Sequence, residues 1–183
     1  MVSTSFTTKS GKTATVRSSS AHDYVIAREF INTASAEDTY LTFSGEQLTD
    51  GEERAYLADC DMRIAAGDLV KLFCFIDGVL VGDITIGRDI KGRRRSYHCA
   101  TLGIVVHHAY RGDGIGKALI RIALEEAKQK ITGLRIVTLW YLEPNQNAKM
   151  LYESCGFKEC GRVPGGMWYR DTYVDHVHMM MRV

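Results

Sequence analysis

The chain has almost no excess of charge of either sign: 23 Lys and Arg stand against 22 Asp and Glu, a formal net charge of +1 at pH 7. That balance argues against a general electrostatic grip on nucleic acid or on an acidic membrane. No apolar run approaches the ~20 residues of a membrane-crossing helix. The polar start, Met1 to Thr8, lacks the apolar centre of a secretory leader, so the expected address is the cytosol. The five cysteines, at 60, 74, 99, 155 and 160, are odd in number, scattered, and form no CxxC pair. They do not read as a disulfide framework; Cys60, Cys74 and Cys99 sit among apolar neighbours, where a free thiol acts as a small hydrophobe. No internal repeat or low-complexity block interrupts the chain.

What is present suits ordinary globular folding: 183 residues, 45% of them hydrophobic, enough for one domain with a substantial core. Thr13 to Arg17 reads as a first strand. Helices are expected over residues 21–32, with Ser20 as cap, and over 49–66, where Thr49 and Glu52 have the spacing of a capping box. Strands follow at 69–76 and 79–86, joined by Asp77-Gly78, a strong two-residue hairpin signal. Residues 89–96 form a charged loop containing Arg93, Arg94 and Arg95, whose plain reading is a solvated surface. A central strand spans 97–107, a helix 115–130, a strand 134–142, and a helix 145–154 opened by Pro144. The apolar-aromatic tail, punctuated by Gly165-Gly166 and Asp171, adds two more strands. The fold class is mixed α/β, with a largely antiparallel sheet of six to seven strands and helices on both faces.

The strand ending Gly103-Ile104-Val105-Val106-His107 runs into Arg111-Gly112-Asp113-Gly114-Ile115-Gly116-Lys117 and then into a helix. A glycine-rich strand-to-helix turn aims several free backbone N–H groups at one point, where the helix dipole adds positive potential. Such a turn suits a phosphate or diphosphate. It is not a P-loop, since Arg111 stands where glycine is needed and Ala118 follows Lys117. Nor does it fit the G-x-G-x-x-G dinucleotide fingerprint.

Arg111-x-x-Gly114-x-Gly116 resembles the acetyl-CoA turn of the GCN5-related N-acetyltransferases (GNAT). The block from Asn145 through Ala148, Leu151 and Tyr152 to Gly156-Phe157 resembles a second element of the same family, in the right order. The likeness covers residues 68–183, the expected acetyl-CoA-binding core; residues 1–67 form the region where this family varies with substrate. The resemblance implies that the amides of residues 111–117 hold the diphosphate of acetyl-CoA, with Lys117 adding charge. It implies that Ile104, Val105 and Val106, on a bulged strand, pair with the pantetheine arm, and that Asn145 contacts the coenzyme. The amide of Val106 or its neighbour would polarise the thioester carbonyl, and Tyr152 would protonate the departing thiolate. Asn145 also reads as a simple helix cap, and Tyr152 as a core residue with a bonded hydroxyl.

The activity so implied is acetyl transfer from acetyl-CoA to a primary amine of a small molecule or peptide by direct attack, needing neither metal nor covalent intermediate. Many family members carry Glu where this chain has Thr101, which cannot act as a base. His98, Asp83, Glu46 or a water chain are the alternatives. The missing Glu also admits a non-catalytic acyl-CoA sensor. His176 and His178 share one face of a strand but show no third metal ligand. Trp168, Tyr169 and Tyr173 are candidates for an acceptor wall, although aromatic strand residues usually pack. Dimers are frequent in the family.

Overall fold

A computed structural model describes residues 3–37, 39–89 and 94–183. The chain opens with a hairpin, β1 (Ser3–Thr7) and β2 (Thr13–Ser18). Ser20 then starts a helical segment as expected. Its hydroxyl accepts from the His22 N–H, and Asp23 accepts from the Ser20 N–H in return. A 3-10 turn passes into α1 (Tyr24–Ala36), which runs further than the sequence signals indicate. Thr49 and Glu52 form the second capping box, at the head of α2 (Asp50–Ala65). Next come β3 (Leu69–Ile76) and β4 (Val79–Gly87). Asp77 and Gly78 between them take φ of 51° and 80°, as a primed two-residue hairpin turn requires. The remainder is β5 (Cys99–Val106), α3 (Ile115–Lys130), β6 (Ile136–Leu142), α4 (Gln146–Ser154), β7 (Lys158–Tyr169) and β8 (Thr172–Arg182).

All eight strands form one sheet in the order β1-β2-β3-β4-β5-β6-β8-β7. Every neighbouring pair is antiparallel except β5 and β6, which run parallel. The sheet therefore has one strand more than the six to seven expected. The addition is β1, an edge strand exposed along nearly its whole length; with Phe6 alone turned to the core, it carries no apolar alternation to announce it. The tail forms its two strands, turning at Arg170 and Asp171 with φ of 45° and 61°. Gly165 lies instead within an irregular stretch of β7, where its N–H donates to Asp175 (3.1 Å) and Asp175 also pairs with Arg162 (3.0 Å).

Helices cover both faces. On one, Leu119, Ile120, Ala123 and Ala127 of α3 pack on Leu72, Ile84, Leu102 and Val137, with Tyr152 of α4 in the same cluster. On the other, Ala27 and Phe30 of α1 and Leu57 of α2 pack on Phe73 and Leu80. Burying such side chains stabilises by about 1.5–3 kcal/mol each. The two layers hold the sheet between them. Of the triple-arginine run, Arg93 lies outside the described residues, while Arg94 and Arg95 are exposed.

Candidate functional site

The parallel pairing of β5 and β6 stops early. It joins Cys99 to Ile136, Ala100 to Val137 and Thr101 to Thr138, and no pairing follows. Beyond Thr101 the two strands continue without a shared ladder, so the sheet opens at its centre. On its other side β5 stays paired with β4 from Gly82–Val106 to Gly87–Thr101 without a register shift. The bulge expected in β5 is thus not seen in that ladder; the opening arises where β6 leaves β5. The His107 N–H donates to Val81 O (3.0 Å). Since antiparallel pairs alternate, the main-chain groups of Val105 face β4, and those of Ile104 and Val106 face the opening. Val106 O accepts from Arg111 Nε (2.9 Å), which leaves the Val106 N–H.

The glycine turn stands at the end of β5. Gly112 and Gly114 have φ of 82° and 87°, a left-handed backbone that other residues adopt only with strain. No side chain caps α3. Its first internal bond in the turn runs from the Ala118 N–H to Gly114 O (3.1 Å), so the amides of Ile115, Gly116 and Lys117 lie before the intrahelical ladder. A Cβ on Gly116 would sit 3.0 Å from Leu151 Cδ2 and 3.9 Å from Val106 Cγ2; the helix start, α4 and β5 converge there.

Two side chains of the turn are committed within the protein. Arg111 bonds Val106 O and, at 2.8 Å, Glu37 at the end of α1; His108 Nδ1 shares that carboxylate at 2.9 Å. Asp113 accepts from the N–H and the hydroxyl of Ser10, both at 2.7 Å. The Ser10 hydroxyl bond is the chief reason its carboxyl stays below the ordinary carboxylate range. Lys117 is exposed. Ser10 and its neighbour Lys9 carry no motif that sequence reasoning could seize; only the folding of the first hairpin brings them here.

On α4, Tyr152 is 8% exposed and packs against the rings of Tyr141 and Phe157. Its hydroxyl makes no hydrogen bond to another described residue. Burial, reinforced by Cys155, pushes its pKa up to about 12. Asn145 Oδ1 caps α4 by accepting from the Ala148 N–H (3.1 Å), which is the structural reading of that residue; its side-chain nitrogen is not used by the cap.

The face of the sheet opposite α3 carries Thr101 and Val105 of β5, Asp83 of β4, Trp140 of β6, and His176 and His178 of β8, as register and alternation require. Thr101 Oγ1 lies 3.3 Å from Thr138 Oγ1. Asp83 is held by Lys71, whose Nζ bonds both carboxylate oxygens at 2.6 and 2.7 Å. Glu46 is tied to its own loop, with its own and the Ser44 backbone amides lowering its pKa. The His98 carbonyl accepts from the Arg135 and Ile136 amides just before β5 pairs with β6. His176 stacks edge-on to Trp140 with ring centres 4.8 Å apart and lies 4.4 Å from His178. Burial, then His178, lowers its pKa, so the ring is neutral at physiological pH, and its Nε2 is enclosed without a partner among the described residues. Tyr40, between α1 and α2, meets Tyr169 of β7 with ring centres 4.9 Å apart.

A mixed sheet opened between two parallel strands, with an uncapped helix start at the opening, is an arrangement that known proteins share. The model of the acetyltransferase (GNAT) family matches residues 33–157, and the chain belongs to that family. It is 30% identical over 109 residues to the L-amino acid N-acetyltransferase AaaT of Escherichia coli strain K12, a match spanning 60% of this chain and 65% of that one. In another curated match, 45% identical over 67 residues, it spans 28% of the relative's length. A GNAT-family acetyltransferase from Streptococcus pneumoniae superposes with a TM-score of 0.83 at 27% identity, covering 93% of this chain and 99% of that one. A putative acetyltransferase, yncA, from Salmonella typhimurium, solved with its cofactor acetyl-CoA, shares the fold at a TM-score of 0.79 and 20% identity, covering 92% and 93%.

Proposed function

We propose that this protein transfers acetyl from acetyl-CoA to a primary amine of a small molecule or peptide. The observation that carries the reading is the pairing of an uncapped α3 start with the unladdered edge of β5. The coenzyme's diphosphate rests on the amides of residues 112–117, and its pantetheine arm lies along β5 against Ile104 and Val106. The acetyl carbonyl then meets the Val106 N–H. The amine nitrogen attacks the carbonyl carbon from the face bearing Trp140. Negative charge gathers on the carbonyl oxygen, and a preorganised amide donor at that point contributes about 10²–10³ in rate. The C–S bond breaks, the new C–N bond remains, and Tyr152 gives its proton to the sulfur. The amine's proton leaves on the acceptor face. There Asp83 is ion-paired with Lys71, whereas the neutral His176 ring has an unused nitrogen. Acetyl-CoA bound to yncA and the amino acid acceptor named for AaaT both support the substrate classes.

The test is to incubate the protein with acetyl-CoA and a pooled library of amino acids, polyamines, aminoglycosides and peptides, and to measure free thiol. Amine-dependent thiol release is expected, with an N-acetyl product 42 Da heavier than its acceptor, where ~42 Da is the mass of the acetyl group less one hydrogen. Saturable acetyl-CoA binding without thiol release from any amine would mark a sensor and contradict the proposal.

A further inference from the structure

The first hairpin reaches the glycine turn by three hydrogen bonds. Ser10 gives two to the Asp113 carboxylate, and the Lys9 N–H donates to Asp113 O at 3.1 Å. The hairpin loop is itself closed by Thr8, whose N–H donates to Lys12 O (2.9 Å) and whose hydroxyl accepts from the Lys12 N–H (3.2 Å). Asp113 sits between Gly112 and Gly114, the two residues of the turn with left-handed backbone. A turn built on two such residues has many alternative conformations when unrestrained. The hairpin selects one of them.

The same contact delivers a cation. The Lys9 stem runs past Gly114, with Cγ 3.6 Å and Cε 3.8 Å from where a Cβ on that glycine would stand. A cavity of about 550 Å³ lies beside it, with Lys9, Lys117 and Arg121 at its edge and Phe6 and Leu124 among its apolar lining. Two carboxylates also border this space, and both are engaged: Asp113 by Ser10, and Glu125 by Lys128 at 3.3 Å. None of the three cations has an ion-pair partner among the described residues. Three unpaired cations around a partly apolar cavity suit a ligand that is both anionic and flat, such as a phosphorylated nucleoside.

Resting on the acetyl-CoA reading above, we propose that the β1–β2 turn is part of the coenzyme site: Ser10 positions the glycine turn, and the Lys9 ammonium binds a phosphate of CoA. The phosphate is either the diphosphate over Gly114 or the 3′-phosphate of an adenosine seated in the adjoining cavity. Lys9 is a binding residue and Ser10 a positioning residue, each far in sequence from the motifs of the core.

Calorimetric titration of the full chain decides the matter. Lys9→Met should weaken acetyl-CoA binding about tenfold, in line with loss of one charge-assisted contact. Lys9→Arg should restore most of it, and Lys158→Met, a charge removed from β7, should leave it at the wild-type value. Ser10→Ala should weaken binding several-fold with an unchanged salt dependence, since it removes no charge. Repeating the titration with acetyl-dephospho-CoA separates the two phosphates. If Lys9→Met loses its effect there, the 3′-phosphate is the partner; if the effect persists, it is the diphosphate. Wild-type affinity in Lys9→Met and Ser10→Ala with both ligands would overturn the inference, provided the wild-type protein binds. Absence of binding by the wild-type protein would instead overturn the acetyl-CoA reading itself.

Discussion

Tyr152→Phe should lower kcat by about 10²-fold or more, the usual worth of a positioned proton donor, while the dissociation constant for acetyl-CoA stays within about twofold. The substitution removes one oxygen and keeps the ring that packs between Tyr141 and Phe157. That oxygen makes no hydrogen bond to another described residue, so its loss breaks no internal network and stability should hardly change. Burial holds the phenol's pKa at about 12, so the proton is present throughout the working pH range. The pH profile of kcat should therefore show no alkaline fall below about pH 10 owing to this group, and the variant should reduce the height of the profile without moving its limbs. Unaltered kcat in Tyr152→Phe would remove the residue from its role.

The largest stability effect is expected at the ion pair under the acceptor face. Lys71 is 2% exposed, enclosed by the rings of Tyr56 and Phe73 at 5.1 and 5.2 Å, and its charge is answered by Asp83 at 2.6 Å. Asp83→Ala leaves that ammonium buried without its anion, at a cost of about 3 kcal/mol or more. For a chain of this size the loss corresponds to a fall in Tm of roughly 6–12 °C. Lys71→Met keeps the stem and removes the charge, so it should cost much less, and Asp83→Ala on that background should add little. Burial alone would lower the lysine's pKa, but the Asp83 carboxylate outweighs it and raises the value above normal. A raised folded-state pKa means the pair's contribution is complete below the unfolded value of about 10.4. It is lost only as pH climbs through the higher folded value, so the deficit of Asp83→Ala should be equal at pH 6 and pH 8. A Tm within 2 °C of wild type would show that the pair is dispensable, 2 °C being about the effect of a fraction of 1 kcal/mol to 1 kcal/mol.

Most of the architecture was legible because its signals are local. The Asp77-Gly78 turn and the Thr49–Glu52 box act over two to four residues, and the apolar stripe of α3 repeats at helical spacing. The glycine turn announced itself for the same reason. What escaped depends on residues distant in sequence. Strand β1 is polar and exposed, so no pattern marked it, and with it went the contact of Ser10 with Asp113, 103 positions away. Asp113 is expected to meet the coenzyme through its main-chain amide; what no local pattern announces is that its carboxylate is spent on the hairpin. The side chain of Arg111 is likewise drawn to Glu37, a partner supplied by the end of α1. Asp83, one of the alternatives for the base, has its partner in Lys71 of β3, twelve positions away and outside any local pattern. His176 read only as half of an insufficient metal pair. Its place beside Trp140, with a neutral ring, follows from a strand order that no local pattern encodes.

Where the coenzyme lies can be seen in a crystal structure of the protein with acetyl-CoA. The account predicts the diphosphate against the amides of Gly112 to Lys117, the pantetheine arm in the gap between β5 and β6, and the thioester carbonyl at the Val106 N–H. A complex in which that gap is empty and the coenzyme lies elsewhere would contradict it.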